Sequence, residues 1–194
     1  VTADLIDRLS LPDDCVVDTA HSDEHGEAYA IFDADRVYRY ALSRCWGPGA
    51  WRAYCMLNPS AADAFIVDPT VARCLKRAKA DGMGGALIVN LFAFRSRWPT
   101  DLLTAADPVG KYNDDFLLGM PEHVWPHVIV GWGCGPSSKR GRVLVADRAR
   151  HVGALIGDGG WMTYSLQVNT DGSPKHPLYC RDADVPTLWA PRAA

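Results

Sequence analysis

Apolar and polar residues alternate over 28–32 (AYAIF) and 37–42 (VYRYAL), with Asp33-Ala34-Asp35-Arg36 between them. Two period-two runs joined by a polar turn predict a β-hairpin. The denser run at 51–57 (WRAYCML) predicts a buried strand that stops at Asn58-Pro59, since a residue before proline is held extended. Asp68-Pro69-Thr70 then offers an N-cap with proline at the first helical position. Val71, Leu75 and Ala78 share one face of the next helix. Glycines at 82, 84 and 85 end it, and 86–92 (ALIVNLF) predicts the next strand. Strand, helix and strand within about forty residues make a βαβ unit, with parallel strands and a right-handed crossover.

Beyond it, 101–119 reads as a helix-rich connection interrupted at Pro108-Val109-Gly110. A third core strand is predicted at 127–132 (HVIVGW) and a fourth at 161–168 (WMTYSLQV). Between them, Val143, Val145, Ala149, Val152 and Ile156 mark an amphipathic helix over 140–157. The first 14 residues read as a helix or arm bounded by Pro12, and residues 169–175 as a turn-rich loop leading into His176-Pro177-Leu178-Tyr179. The expected fold is α/β: a three-layer α/β/α sandwich in one domain, 1–194. Its central, mostly parallel sheet has about four strands, preceded by the N-terminal hairpin.

Composition narrows the function classes. With 48% hydrophobic and 22% charged residues, the chain has the balance of an ordinary globular domain, not of a disordered segment or coiled coil. A net charge of −3 gives no bulk attraction to nucleic acid or anionic membrane. Lys and Arg do concentrate at 73–79 and 139–150. No apolar run approaches the roughly 18–20 residues of a membrane span, and the opening VTADLIDRLSLPDD lacks the pattern of a signal peptide. The six cysteines form no CxxC pair, so zinc-ribbon spacing is absent. Cys55 and Cys74 read as buried free thiols, and a cytoplasmic protein with reduced cysteines is expected. His21 and His25 are four apart but sit in a polar loop-like segment, HSDEHGE, so no metal and no cofactor is expected.

Ligands of open parallel sheets collect beyond the carboxyl ends of the strands. Four polar clusters fall there: 58–63, Asn90 with 93–95, 131–135, and the loop to His176. The Asn58 amide offers a donor and an acceptor that can position water or read a base edge, the alternative being an Asx turn. Ser60 and Asp63 share its loop. His176 can act as acid or base or donate to developing negative charge, with Lys175 and Tyr179 as neighbours. Arg44, Arg95 and Lys175 are candidates for an anion site. Trp46, beside Gly-Pro-Gly, is placed to stack on a flat ligand, whereas Trp132 reads as core. Asp68 reads as a helix cap. GWGCGP lacks the lysine and hydroxyl of a phosphate loop.

The succession of motifs resembles a family. Tyr38-Arg39-Tyr40 with Leu42 and Arg44, Met56 to Ser60 with Asp63, Asp68-Pro69-Thr70 with Arg73, and Asn90-Leu91-Phe92 with Arg95 are followed by Asp107-Pro108, Asn113-Asp114, Gly131-Trp132-Gly133 and His176 to Tyr179. Together they resemble domain of unknown function family 1643 over about residues 28–189, leaving 1–27 as an N-terminal arm. More distantly, an Asn-Pro loop after the first core strand and a His-Pro loop after the last resemble uracil-DNA glycosylase-like folds. That resemblance implies catalytic roles for Asn58, positioning water, and for His176, stabilising a departing base.

The sequence thus leaves three functions open. One is an enzyme acting on a nucleobase, nucleotide or nucleic-acid base by N-glycosidic hydrolysis, with Asn58, His176 and Asp63 catalytic. In it Ser60, Arg44, Asn90, Arg95, Lys175, Tyr179 and Trp46 bind substrate. The second is a non-catalytic module for a nucleotide or modified base, and the third a protein-interaction adaptor.

Overall fold

A computed structural model describes residues 11–120 and 124–190. The helix or arm expected at the start of the chain lies mostly on residues 1–10, outside the described residues. The first described element is a strand: β1 (Cys15–Ser22) pairs antiparallel with β2 (Gly26–Asp33) over its full length. The expected hairpin is present, since β2 pairs antiparallel with β3 (Arg39–Cys45). Four strands then run parallel: β4 (Trp51–Met56), β5 (Gly85–Asn90), β6 (Val124–Val130) and β7 (Met162–Ser165). A two-residue strand, β8 (Thr187–Leu188), closes the far edge antiparallel to β7.

The sheet therefore has eight strands, in the order β1-β2-β3-β5-β4-β6-β7-β8. This overturns the expectation of a central, mostly parallel sheet of four strands, and with it the glycosylase-like architecture inferred from that layout. The hairpin is no appendage. Leu42 pairs with Ile88 and Arg44 with Ala86, joining β3 antiparallel to β5 in one continuous mixed sheet.

Both faces of the middle strands are buried, which is why they read as continuous apolar runs. Alternate residues diverge: Trp51, Ala53 and Cys55 of β4 face one cluster, while Tyr54 and Met56 face the other. Helix α1 (Pro69–Ala80) covers the second cluster with Val71, Cys74, Leu75 and Ala78. Helices α2 (Asn113–Leu118) and α3 (Lys139–Asp158) cover the first with Phe116, Leu117, Val145, Ala149, Val152 and Ile156. These are the only α-helices among the described residues, and none is long and apolar enough to cross a membrane.

The end of β5 carries carbonyls with no strand to receive them, and buried backbone acceptors need partners. Asn113 of α2 donates to the carbonyls of Asn90 and Leu91 at 3.1 and 3.0 Å, and Arg148 Nε of α3 donates to Leu91 at 2.7 Å. Arg148 is anchored in turn by Asp114. Two helices thus fix the strand end from which one wall of the site departs.

Candidate functional site

A cavity of about 410 Å³ opens where β4, β5 and β6 end, within the roughly 300–1,000 Å³ usual for small-molecule sites. Because β3 runs opposite to β5, its first residue, Arg39, falls at this same edge and enters the lining. The remaining walls come from the loops after the three parallel strands, the start of α1, and the His176 loop.

Asn58 lies just beyond β4 and ties two loops together. Its Nδ2 donates to the carbonyl of Ser96 at 2.8 Å and to that of Pro59 at 3.1 Å. Both amide hydrogens are thereby used, and Oδ1, with no donor among the described residues, is the atom left for a ligand or water. The two loops also run together through the backbone, with Ser96 N–H on the Pro59 carbonyl at 2.9 Å. Ser60, Ser96 and Arg97 of these loops line the cavity.

Asp68 is the N-cap of α1, as its Asp-Pro-Thr setting predicts. Its Oδ1 accepts from Val71 N–H at 2.8 Å, and its carbonyl accepts from Ala72. Oδ2 has no donor among the described residues, and the side chain lines the cavity. One carboxylate therefore serves the helix and the site together.

The His176 loop docks on the sheet through a close approach. A side chain at Gly131 would place its Cβ 2.6 Å from Pro177 Cδ, so only glycine lets the two segments pack. Gly133 N–H then donates to the Pro174 carbonyl at 2.9 Å. Within the loop, Leu178 N–H donates to His176 Nδ1 at 3.4 Å. With Nδ1 an acceptor, the neutral ring carries its proton on Nε2. Burial holds the imidazole below its ordinary value, with the Asp68 carboxylate acting in the opposite direction.

Arg39 is the deepest charged group of the lining, 2% exposed. Its Nη1 donates to the Ala62 carbonyl at 2.6 Å and its Nη2 reaches Asn90 Oδ1 at 3.4 Å. Burial pulls its pKa down to about 10, Asp68 opposing, so it stays charged at neutral pH.

Of the residues singled out in the sequence, the fold brings Asn58, Ser60, His176 and Tyr179 together around the cavity. Asn90 lies behind it, in contact with Arg39. Five others lie elsewhere. Asp63 closes an Asx turn, accepting from Phe65 and Ile66 at 2.8 and 2.7 Å. Arg44 donates to the carbonyls of Ser43 and Asp63. Arg95 lies over the Phe32 ring and donates to the Arg36 carbonyl. Lys175 holds Gln167, and Trp46 donates to the Met83 carbonyl at 2.7 Å.

Arg39, between two tyrosines in the N-terminal hairpin, is not among the site candidates of the sequence, and neither is Asp68, which reads there as a helix cap. Trp132, expected in the core, is 3% exposed, yet its edge lines the cavity beside the exposed thiol of Cys134. Among the described residues no group of three or more His, Cys, Asp or Glu side chains is arranged to hold a metal ion.

No curated protein and no solved structure matches the chain. A family model described as a protein of unknown function (DUF1643) matches residues 39–178, which run from the buried arginine of the cavity through its histidine loop. The chain belongs to that family.

Proposed function

We propose that the cavity binds a nucleobase-bearing ligand and hydrolyses its N-glycosidic bond. What carries the reading is the state in which the fold holds His176: the Leu178 N–H takes Nδ1, leaving Nε2–H as the ring's donor to a ligand. A neutral imidazole that donates a hydrogen bond suits a departing base, which leaves with the electron pair of the broken bond. Asn58 Oδ1 accepts a hydrogen bond from the attacking water. Asp68 Oδ2 takes that water's proton as its oxygen bonds to the anomeric carbon. The C–N bond breaks with its electron pair going to the base, and Nε2–H stabilises the base anion by a hydrogen bond. The proton held on Asp68 then passes through solvent to that anion, which leaves free base, a 1-hydroxy sugar and the Asp68 carboxylate restored. Asp68 and not Asp63, the carboxylate expected from the sequence to be catalytic, is given this part, because Asp68 lines the cavity and Asp63 does not.

The test is chromatographic detection of free base after incubating the protein with nucleosides, nucleotides, and single- and double-stranded DNA and RNA. Release from at least one substrate is expected, with a loss of about 100-fold or more in His176→Ala and Asp68→Asn, the usual weight of an acid–base group. No release from any substrate, or release undiminished in both variants, would overturn the reading.

A further inference from the structure

The floor of the cavity holds a cation with most of its hydrogen-bonding capacity unused. A guanidinium has five N–H donors. Among the described residues, Arg39 places one on the Ala62 carbonyl and one, at 3.4 Å, on Asn90, and it pairs with no carboxylate. Its Nε is buried without an acceptor, and so is the Nδ2 of Asn90 beside it, in a residue 1% exposed. Burying a cation with no carboxylate paired to it is costly, and buried donors left without acceptors call for a partner such as an anionic ligand.

The start of α1 points to the same ligand. Pro69 has no N–H, and Asp68 takes those of Val71 and Ala72, so the Thr70 N–H is the donor left at the helix N-terminus. Thr70 lines the cavity together with Arg39 and Ser60. The positive end of a twelve-residue helix favours an anion. The charged residues of the lining are Arg39 and Arg97 against Asp68, a surplus of one positive charge while His176 is neutral. Outside the lining, Asp63 acts on Arg39 in the same sense as Asp68, and Arg44 and Arg95 act against it.

We infer that Arg39, the Thr70 N–H and the Thr70 and Ser60 hydroxyls form a phosphoryl subsite, so that the ligand of this cavity is a nucleotide and not a free base or nucleoside. The donors come from β3, from α1 and from the loop after β4. A tetrahedral anion accepts from such divergent directions, whereas a planar carboxylate meets a guanidinium in one plane. The inference rests on the proposed function only for the part of the ligand beyond the phosphate.

The experiment uses the full chain and inorganic phosphate, followed by calorimetric titration and thermal unfolding at matched ionic strength against chloride and acetate. Phosphate should bind saturably and raise Tm more than either. A nucleoside 5′-monophosphate should bind about 10–100-fold tighter than its nucleoside, the equivalent of one or two hydrogen bonds to a charged group. Arg39→Met should abolish the phosphate response, with Arg39→Lys keeping part of it. Should the Arg39 variants fail to fold, Ser60→Ala and Thr70→Val should each weaken it severalfold.

A phosphate response no larger than that of acetate, or one unchanged in the Ser60 and Thr70 variants, would overturn the inference. Base release that shows no preference for phosphorylated substrates would also overturn it while leaving the hydrolysis standing. Phosphate binding without any base release would support the subsite and remove the hydrolysis.

Discussion

The backbone N–H of Leu178 donates to Nδ1 of His176 at 3.4 Å, across the bend that ends the last long loop. A protonated imidazole has no acceptor at Nδ1, so this contact exists only with the neutral ring. Burial acts in the same direction, lowering the His176 pKa from 6.5. Since the folded value lies below the unfolded one, the unfolded chain takes up the proton first. Stability from the neutral ring is present in full above 6.5 and is lost as pH falls through the folded value. NMR of the imidazole nitrogens should show Nδ1 unprotonated at neutral pH, with a midpoint below 6.5. The stability gap between wild type and His176→Ala should narrow only under more acid conditions. A midpoint at or above the ordinary histidine value would contradict this.

Asp68 separates into two roles by substitution. Asparagine caps helices about as well as aspartate, so Asp68→Asn should unfold within about 0.5 kcal/mol of wild type, while Asp68→Ala should lose about 0.5–2 kcal/mol. Base release should fail in both, because neither retains the carboxylate that takes the water's proton. Denaturant melts paired with the chromatographic assay read the two roles apart. A fully active Asp68→Asn would exclude the carboxylate as base.

Gly131→Ala should act at a distance. The added Cβ would meet Pro177 Cδ at 2.6 Å, and overpacking of this kind costs about 1–3 kcal/mol. The strain falls on the segment that carries His176, so the imidazole resonances should shift and any activity drop more than the lost stability explains. Unchanged His176 resonances would show that the loop can yield without moving its histidine.

Thiol reactivity should rank the cysteines. All six are free, with Cys134 exposed and Cys55, Cys74 and Cys180 buried. Burial pushes the Cys55 thiol up to about 12 and the half-buried Cys15 up to about 11, aided at Cys15 by Asp14 and Asp33. Thiolate is the reactive form, so iodoacetamide on the native protein should modify Cys134 first, read by peptide mass spectrometry. A ligand that fills the cavity should slow that labelling, since Cys134 lines it. Equal labelling of Cys55 and Cys134 would contradict the burial of Cys55 between sheet and helices.

The parts of the fold legible in the sequence were those with a local signal. Asp68-Pro69-Thr70 marked the start of α1, Asn58-Pro59 the end of β4, and the apolar spacing of 140–157 the helix α3. Strand β1 was not legible, because Cys15–Ser22 lies at a sheet edge, is only half buried, and shows no clean alternation. Strand β8, two exposed residues long, carries no pattern at all. The join of β3 to β5 was hidden for another reason: local pattern sets which face a residue takes but not which strand it meets. That join decides whether Arg39 belongs to the site. Asn58 and His176, each preceding a proline at the end of a strand or loop, do line the cavity. Arg44, Arg95, Lys175 and Trp46 are candidates by residue type and place in the chain, and each is held by a nearby carbonyl or side-chain oxygen.

Arg39 and His176 stand 137 positions apart in the chain (176 − 39), and apart from Tyr179 the rest of the lining comes from several segments between them. The β1-β2-β3 meander can zip through neighbouring residues. The cavity cannot exist until the parallel strands have closed their crossovers and the final loop has docked, and such non-local steps are the slow part of folding. A ligand specific for this cavity would bind no partly folded chain. By mass action it would draw the population toward molecules that had completed the last step, and its binding in refolding experiments would mark the moment at which the chain is finished.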